Sequence, residues 1–119
     1  MNNRIIYFFL LSILGLAPAA CKKVDVPTDT PSCIKKAIKK IQAEKVKKPP
    51  ASVWQYTYNG QVVYYIPSSC CDLPSQLYDS NCKQLCNPDG GFTGKGDGKC
   101  TDFFNTRKNE KQIWEDDRK

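Results

Sequence analysis

The sequence predicts an α+β fold, with an N-terminal helix packed on a small antiparallel sheet of about four or five strands and stabilised by disulfides. Three features predict it: a segment with helical periodicity, two aromatic and β-branched runs joined by Asn59-Gly60, and many cysteines in a short chain. We divide the chain into a signal peptide over residues 1–20, a tether over 21–30 and a single small disulfide-rich domain over 31–119.

The first twenty residues are typical of an export signal. Arg4 precedes an apolar run over 5–16, and small residues follow at 17–20. The run is shorter than the roughly 20 residues that span a bilayer. Cys21 comes next, as in the lipobox of bacterial lipoproteins, although Pro18 stands where that pattern prefers leucine. The alternative is ordinary signal-peptidase cleavage, which leaves Cys21 free or in a disulfide.

The number of cysteines favours lipidation of Cys21. The chain has seven, and an odd cysteine in an exported protein needs an explanation. Acylation of Cys21 leaves six for disulfides, and we expect the adjacent pair Cys70 and Cys71 to bond to two different partners. Cys82 and Cys86 cannot bridge each other along one strand, because four residues span roughly 13 Å. The six disulfide candidates are Cys33, Cys70, Cys71, Cys82, Cys86 and Cys100.

A helix is predicted over about 31–46. Thr30 supplies a capping hydroxyl, and Pro31 suits the first helical position. Pro49-Pro50 ends the helix. Apolar residues recur at spacings of three and four, at Ile34, Ala37, Ile38 and Ile41. The helix should therefore pack through its isoleucine face, with lysines on the other side.

Asn59-Gly60 predicts a type I′ turn between two strands. A two-residue loop pairs Tyr58 with Gln61, Tyr56 with Val63 and Trp54 with Tyr65 on one face of the hairpin. That face carries four aromatic candidate binding residues that could stack on sugar rings: Trp54, Tyr56, Tyr58 and Tyr65. We favour the alternative, in which the isoleucine face of the helix covers them as core.

The rest of the chain predicts shorter elements. Residues 77–78 and 83–85 are typical of two short strands around an Asp-Ser-Asn turn. A helical turn is predicted from Asp102 to about Lys108. Residues 111–115 extend that turn or return as an edge strand, and we favour the strand.

Residues 87–100 form a loop with five glycines. Its amides could cradle an anion beside Lys95 and Lys99, but the spacing of a phosphate-binding loop is absent. Calcium is a weak alternative, with oxygens from Asn87, Asp89, Asp97 and Asp102. A structural loop closed by Cys86 and Cys100 is favoured, and its candidate binding residues are Asp89, Lys95 and Asp97.

Composition narrows the functional classes. The chain has no histidine, which excludes a histidine-dependent catalytic triad. A redox-active Cys-x-x-Cys is also absent. We therefore expect no catalytic residue, no cofactor and no metal beyond the weak calcium candidate. The net charge is +6, concentrated between Lys35 and Lys48. Because an exported protein rarely meets nucleic acid, an anionic membrane or polysaccharide is the better candidate partner, but a simply solvated helix face is favoured over both.

The run from Val53 to Trp114 resembles a family of small lipoproteins from Bacteroidota that is catalogued only as a domain of unknown function. The resemblance is carried by Trp-x-Tyr-x-Tyr-Asn-Gly from Trp54, Cys70-Cys71-Asp72, Leu77-Tyr78-Asp79 and the Pro-Asp-Gly-Gly-Phe-Thr-Gly-Lys-Gly-Asp-Gly run from Pro88. It implies a lipoprotein, but it implies no catalytic residue, cofactor or ligand.

The sequence thus predicts a lipid-anchored, exported protein of the bacterial cell envelope, on its periplasmic or surface face. Its function is predicted as a non-enzymatic binding or envelope-structural module with an unidentified protein or glycan partner and no nucleic acid. One alternative is an inhibitor of a secreted enzyme that acts through the 89–99 loop. A second is an enzyme that uses carboxylates or a metal.

Overall fold

The structure, a computed structural model, describes Gly15 and residues 23–70 and 72–119 of the chain. The elements of the described residues are α1 (Ser32–Ala43), β1 (Ser52–Tyr58), β2 (Gln61–Ile66), β3 (Gln76–Asp79), β4 (Gln84–Cys86), α2 (Phe103–Thr106) and β5 (Lys108–Glu115). The strands form one antiparallel sheet in the order β4-β3-β2-β1-β5. The predicted α+β class is confirmed: a helix packs on a five-stranded antiparallel sheet with disulfides.

The β1–β2 hairpin has the predicted turn and register. Asn59 and Gly60 take φ angles of 49° and 76°, which is the left-handed pair that a type I′ turn requires. Trp54 lies opposite Tyr65, and Tyr58 opposite Gln61. The register could be predicted from Asn59-Gly60 alone, because a two-residue turn determines which residues of the two strands pair.

The two faces of the sheet carry separate cores. On one face α1 covers the helix-side core, which consists of Val24, Ile34, Ile38, Val53, Tyr64, Ile66 and Ile113. On the other face lies the loop-side core, which consists of Tyr56, Tyr58, Val63, Tyr65, Leu77, Cys86, Cys100 and Phe103. The prediction that α1 covers the aromatic face of the hairpin is therefore wrong. Strand alternation places Val53, Tyr64 and Ile66 under the helix instead.

The ends of α1 differ from the prediction. Its N-cap is Pro31, without a side-chain cap, so the predicted Thr30 cap is wrong; the Thr30 hydroxyl is buried with no hydrogen-bond partner among the described residues. The helix ends at Ala43 because Glu44 is extended. At that end Arg118 donates to the carbonyl oxygens of Gln42 (2.7 Å), Glu44 (3.0 Å) and Ile41 (3.1 Å). A cation here satisfies free carbonyls and complements the helix dipole.

The described part of the predicted tether lies against the domain. Val24 is 7 % exposed and belongs to the helix-side core, and Val26 packs against it. The Lys35 ammonium donates to the Thr28 carbonyl at 3.4 Å. From Val24 onward the segment is therefore packed on α1, although its polar, proline-containing composition predicted a free linker.

The C-terminal part forms a strand, as favoured from the sequence. β5 begins at Lys108 and pairs antiparallel with β1, so it is an edge of the sheet. The helical turn before it is α2, shorter than predicted because Arg107 is already extended. No helix among the described residues is long and apolar enough to cross a membrane.

Disulfides join separate segments of the domain. Cys33 at the start of α1 bonds Cys82 in the β3–β4 turn, and Cys86 bonds Cys100. Cys82 and Cys86 thus have different partners, as expected from their spacing. Cys70 is also disulfide-bonded. The predictions for the signal peptide, for Cys21 and for Cys71 fall outside the described residues.

Candidate functional site

The glycine loop, residues 86–100, crosses the loop-side face of the sheet. The Cys86–Cys100 disulfide joins its ends, with the two Cα atoms 6.1 Å apart. The Asp97 carboxylate links the two ends of the loop, because it accepts the backbone N–H groups of Lys99 and Asn87, both at 3.0 Å. These two backbone donors, that of Lys99 first, hold the pKa of the Asp97 carboxyl below its usual range. The loop is therefore closed both covalently and by hydrogen bonds.

The base of the glycine loop is fastened to the start of β3. The backbone N–H of Ser75 donates to the Asp89 carbonyl at 3.0 Å, and the Asp89 N–H donates to the Ser75 hydroxyl oxygen at 3.1 Å. The Gly91 N–H donates to the Leu73 carbonyl at 3.1 Å. Ser75 is fully buried. A buried polar residue with all these partners fixes the position of the loop on the sheet.

Two glycines are required by close backbone approach. Gly90 has a φ of 74°, and a Cβ there would lie 2.6 Å from the Leu73 carbonyl oxygen. Gly96 has a φ of 67°, and a Cβ there would collide with the Asn87 carbonyl oxygen. Glycine is required at these two positions, because no other residue allows both the positive φ angle and the close backbone contact.

Phe92 stands at the tip of the glycine loop. It is 93 % exposed, whereas the large apolar residues of the sheet are mostly buried. The tip is turned by Gly90 and Gly94, whose N–H groups donate to the Gly94 and Gly91 carbonyls at 3.2 Å each. Lys95 is exposed beside it. Phe92 was not among the predicted binding residues, although it is a lone aromatic residue inside a polar glycine run.

The aromatic residues of the hairpin are not an exposed platform. Tyr56, Tyr58 and Tyr65 are 4 %, 6 % and 7 % exposed. Trp54 packs half-buried beside them, and its indole N–H donates to the Ser52 hydroxyl at 2.9 Å. The glycine loop and α2 cover this face, so the rings cannot stack on a sugar without unfolding it. The prediction of a stacking surface here is wrong for the three tyrosines.

Each of the three buried tyrosines of the loop-side core donates its hydroxyl to a different carboxylate. Tyr65 bonds Asp89 at 2.9 Å. Tyr58 bonds Asp102 at 2.7 Å. Tyr56 bonds Glu110 at 3.0 Å. The first two bonds attach the glycine loop and the start of α2 to one face of the sheet, and the third joins the neighbouring strands β1 and β5. They were invisible in the sequence because 24 to 54 positions separate the partners.

The pairing favours neutral tyrosines. Burial, together with the hydrogen bond to Glu110, raises the pKa of Tyr56 to about 12. Burial and the bond to Asp89 raise the pKa of Tyr65 as well. For Tyr58 the bond to Asp102 is the main cause of a raised pKa. A nearby carboxylate and low solvation both disfavour a phenolate, so these hydroxyls act as structural donors at neutral pH.

Phe103 is the centre of the loop-side core. It is fully buried, and its ring centroid lies 5.1–5.6 Å from those of four neighbours: Tyr56, Tyr58, Tyr65 and Phe104. The Arg107 guanidinium lies over the Tyr56 and Phe104 rings, 4.6 and 4.9 Å from their centroids. Arg107 therefore covers the outer side of this aromatic cluster through cation–π contacts. Sequence reasoning predicted neither role.

The three carboxylates among the candidate calcium ligands do not converge. Asp89 accepts from Tyr65, Asp102 from Tyr58, and Asp97 from two backbone amides. Among the residues that the structure describes, no group of three or more cysteines, aspartates or glutamates could hold a metal ion. A calcium site needs several oxygens directed at one point, so this loop does not fit calcium.

Grooves on the helix side of the domain are lined by described residues of α1 and of the segments beside it. A groove of about 710 Å³ lies between residues 23–28 and α1, and Lys23, Lys35 and Lys39 line it. A groove of about 390 Å³ lies between the C-terminal half of α1 and the segment around Leu73. Lysines mark the first, whereas Ile41 and the exposed Leu73 make the second more apolar.

Comparison with known proteins places this architecture in a family. The family model described as "Domain of unknown function (DUF6970)" matches residues 39–116, which include the whole sheet and the glycine loop. No curated protein and no solved structure matches the chain.

Proposed function

The chain belongs to the DUF6970 family, and from this premise we propose that it is an exported, lipid-anchored, non-enzymatic binding module that recognises a partner protein through the glycine loop. The single observation that carries the proposal is the 93 % exposure of Phe92 on a loop fastened at both ends.

Phe92 has the properties of a binding anchor. Aromatic residues that fill a pocket of the partner dominate the binding energy of many protein interfaces. The Cys86–Cys100 disulfide and the Asp97 carboxylate hold the loop before binding. A preorganised loop loses less conformational entropy on association. Phe92 contributes nothing to either core, so its exposure on a rigid support favours recognition over packing.

The non-enzymatic part of the proposal is supported by the acids of the loop-side face. Asp89, Asp102 and Glu110 each hold a buried tyrosine, and they bridge separate elements. A general acid or base must lie within hydrogen-bond reach of the substrate proton that it transfers, whereas each of these carboxylates is bonded to a tyrosine hydroxyl of the domain. The chain also has no histidine. These side chains stabilise the covering layer, which leaves the exposed tip as the candidate contact.

The anchor is supported by the sequence before the domain. Residues 1–20 have the pattern of an export signal, and Cys21 directly follows its small residues. Disulfides such as Cys33–Cys82 persist in oxidising compartments. The resemblance to small lipoproteins of Bacteroidota supports the same attachment. Intact mass of the protein from its native envelope should show cleavage before Cys21 plus acyl chains, and an unmodified N-terminus would overturn the anchor.

The binding role is tested by affinity capture from the native envelope with three baits: the unchanged domain, Phe92→Ala and Leu73→Ala. Leu73 is a matched control, because it is apolar and 56 % exposed but lies outside the glycine loop. Replacement of a hot-spot residue by alanine lowers the affinity for the partner by about 30-fold or more. We expect one partner that Leu73→Ala retains and Phe92→Ala loses. A partner set that is equal for all three baits would contradict the proposal.

The second candidate function is inhibition of a secreted enzyme. It is favoured by a disulfide-closed loop that exposes both Phe92 at its tip and Lys95 nearby in the sequence. Once the partner is captured, an activity assay separates the two functions. Inhibition requires that the purified domain lowers the partner's activity and that Phe92→Ala abolishes the effect; a partner with unchanged activity supports binding alone.

A further inference from the structure

The outer face of α1 and the segment packed beside it form a basic surface. Between Lys23 and Ala43 the chain carries five lysines and two aspartates, Asp25 and Asp29. We define the lysine face as Lys23, Lys35, Lys36, Lys39 and Lys40. The four lysines of α1 lie opposite Ile34 and Ile38, which are fully buried in the helix-side core. They contribute nothing to that core and point outward together.

The groove of about 710 Å³ lies within this face. Lys23, Lys35 and Lys39 line it, and Asp25 is the one acid among the lining residues that the structure describes. Its floor includes Val24 and Val26, which hold the 23–28 segment on the helix. The lysine face is therefore a fixed surface of the domain, with a concave, positively charged centre.

The chain also holds this surface close to the proposed anchor. Val24 is packed in the helix-side core, so three residue steps separate it from Cys21. A fully extended chain covers on the order of 10 Å in three steps. That distance is about one Debye length at physiological ionic strength. The end of the lysine face beside Val24 would thus stay within electrostatic range of the bilayer that holds the lipid.

We propose that the lysine face docks on the anionic phospholipid headgroups of the membrane that carries the anchor. This rests on the proposed lipid attachment at Cys21 and adds an orientation to it. Because α1 and the glycine loop cover opposite faces of the sheet, docking through α1 directs the loop and Phe92 away from the membrane. The domain therefore presents its recognition loop instead of swinging on a free tether.

The test uses the mature acylated protein bound to two kinds of vesicle: phosphatidylcholine alone, and phosphatidylcholine with phosphatidylglycerol. Exposed lysines are labelled briefly with an amine-reactive ester and quantified by peptide mass spectrometry. We expect labelling of Lys36, Lys39 and Lys40 to fall severalfold on the anionic vesicles, and high salt to restore it. Lys95 and Lys99, on the glycine loop, should label equally on both and serve as internal controls.

Charge reversal gives the matched variants. In Lys36→Glu/Lys39→Glu/Lys40→Glu, the ratio of docked to undocked protein should fall at least about fivefold per lysine. Lys23 remains on the lysine face of this variant and reports docking. It should therefore label equally on both kinds of vesicle. Lys95→Glu/Lys99→Glu reverses charge on the other face and should leave docking unchanged. Circular dichroism checks that both variants remain folded.

The outcomes separate this inference from the proposed function. Acylated protein that floats with both vesicles but shows equal labelling of the α1 lysines overturns docking and leaves the anchor intact. Protein that carries no acyl chain and floats with neither vesicle overturns the anchor and docking together. Protection of Lys95 and Lys99 in place of the α1 lysines would contradict the orientation.

Discussion

Three phenylalanines at different depths allow one substitution to be compared in three environments. Phe103 is fully buried, Phe104 is 39 % exposed and Phe92 is 93 % exposed. Each Phe→Ala change removes the same atoms, so differences in unfolding free energy report only what the ring contacts. We assign Phe103 to the loop-side core, Phe104 to the edge of that core and Phe92 to recognition of the partner protein. The three Phe→Ala substitutions test that assignment.

The expected magnitudes follow from the contacts. Phe103→Ala should lower the unfolding free energy by about 3–5 kcal/mol, the usual cost of a fully buried phenylalanine. It also breaks ring contacts with three tyrosines. Phe104→Ala should cost about 1–2 kcal/mol, since part of its area is already in water. Phe92→Ala should stay within about 0.5 kcal/mol.

Urea denaturation of the domain with intact disulfides, followed by tryptophan fluorescence, measures all three variants. Unchanged slopes with shifted midpoints indicate a change in stability alone. The reasoning is refuted if Phe103→Ala costs less than about 1 kcal/mol. It is also refuted if Phe92→Ala destabilises as much as Phe103→Ala, because Phe92 would then be a packing residue and not a free anchor.

The remaining predictions concern backbone, titration and the helix end. Gly96→Ala should lower the melting temperature more than Gly98→Ala, because both have positive φ but only the first adds a backbone collision; equal effects would contradict this. The raised pKa of Tyr56, about 12 against an unfolded value of 10.0, means that its contribution to stability is complete below pH 10 and is lost as pH rises towards 12. In a spectrophotometric titration, Tyr56→Phe should remove a phenolate that forms near pH 12, whereas loss of a step near pH 10 would show an unperturbed hydroxyl. Arg118→Ala should lower the melting temperature, because three carbonyls at the α1 C-terminus lose a charged donor and the buried Asp116 loses its ion-pair partner; Lys119→Ala is the control, and equal melting curves would contradict the role of Arg118.

The elements predicted correctly are those that local sequence determines. Asn59-Gly60 fixed the hairpin and its register, since a two-residue turn admits few pairings. The isoleucine spacing fixed which side of α1 is buried. The helix ends were less accurate, because the Thr30 cap is absent and Arg118, 74 residues after Glu44, completes the C-terminus.

The site was less predictable because it depends on contacts distant in sequence. Alternation along β1 and β2 showed that Tyr56 and Tyr65 share a face, but not which element covers that face. The cover is the glycine loop with Phe103, and tyrosine–carboxylate bonds attach it to the sheet. Those bonds also occupy two acids of the weak calcium candidate. Cysteine spacing excluded a Cys82–Cys86 bridge but could not identify Cys33 and Cys100 as the partners.

The most direct test of the central claim is site-specific photo-crosslinking in the intact cell envelope. A photoreactive amino acid replaces Phe92 at the loop tip or, as a control, Val62, which is 37 % exposed on β2. The account predicts a discrete crosslinked protein from position 92 and none from position 62. The same products from both positions, or no product from position 92, would contradict recognition through the glycine loop.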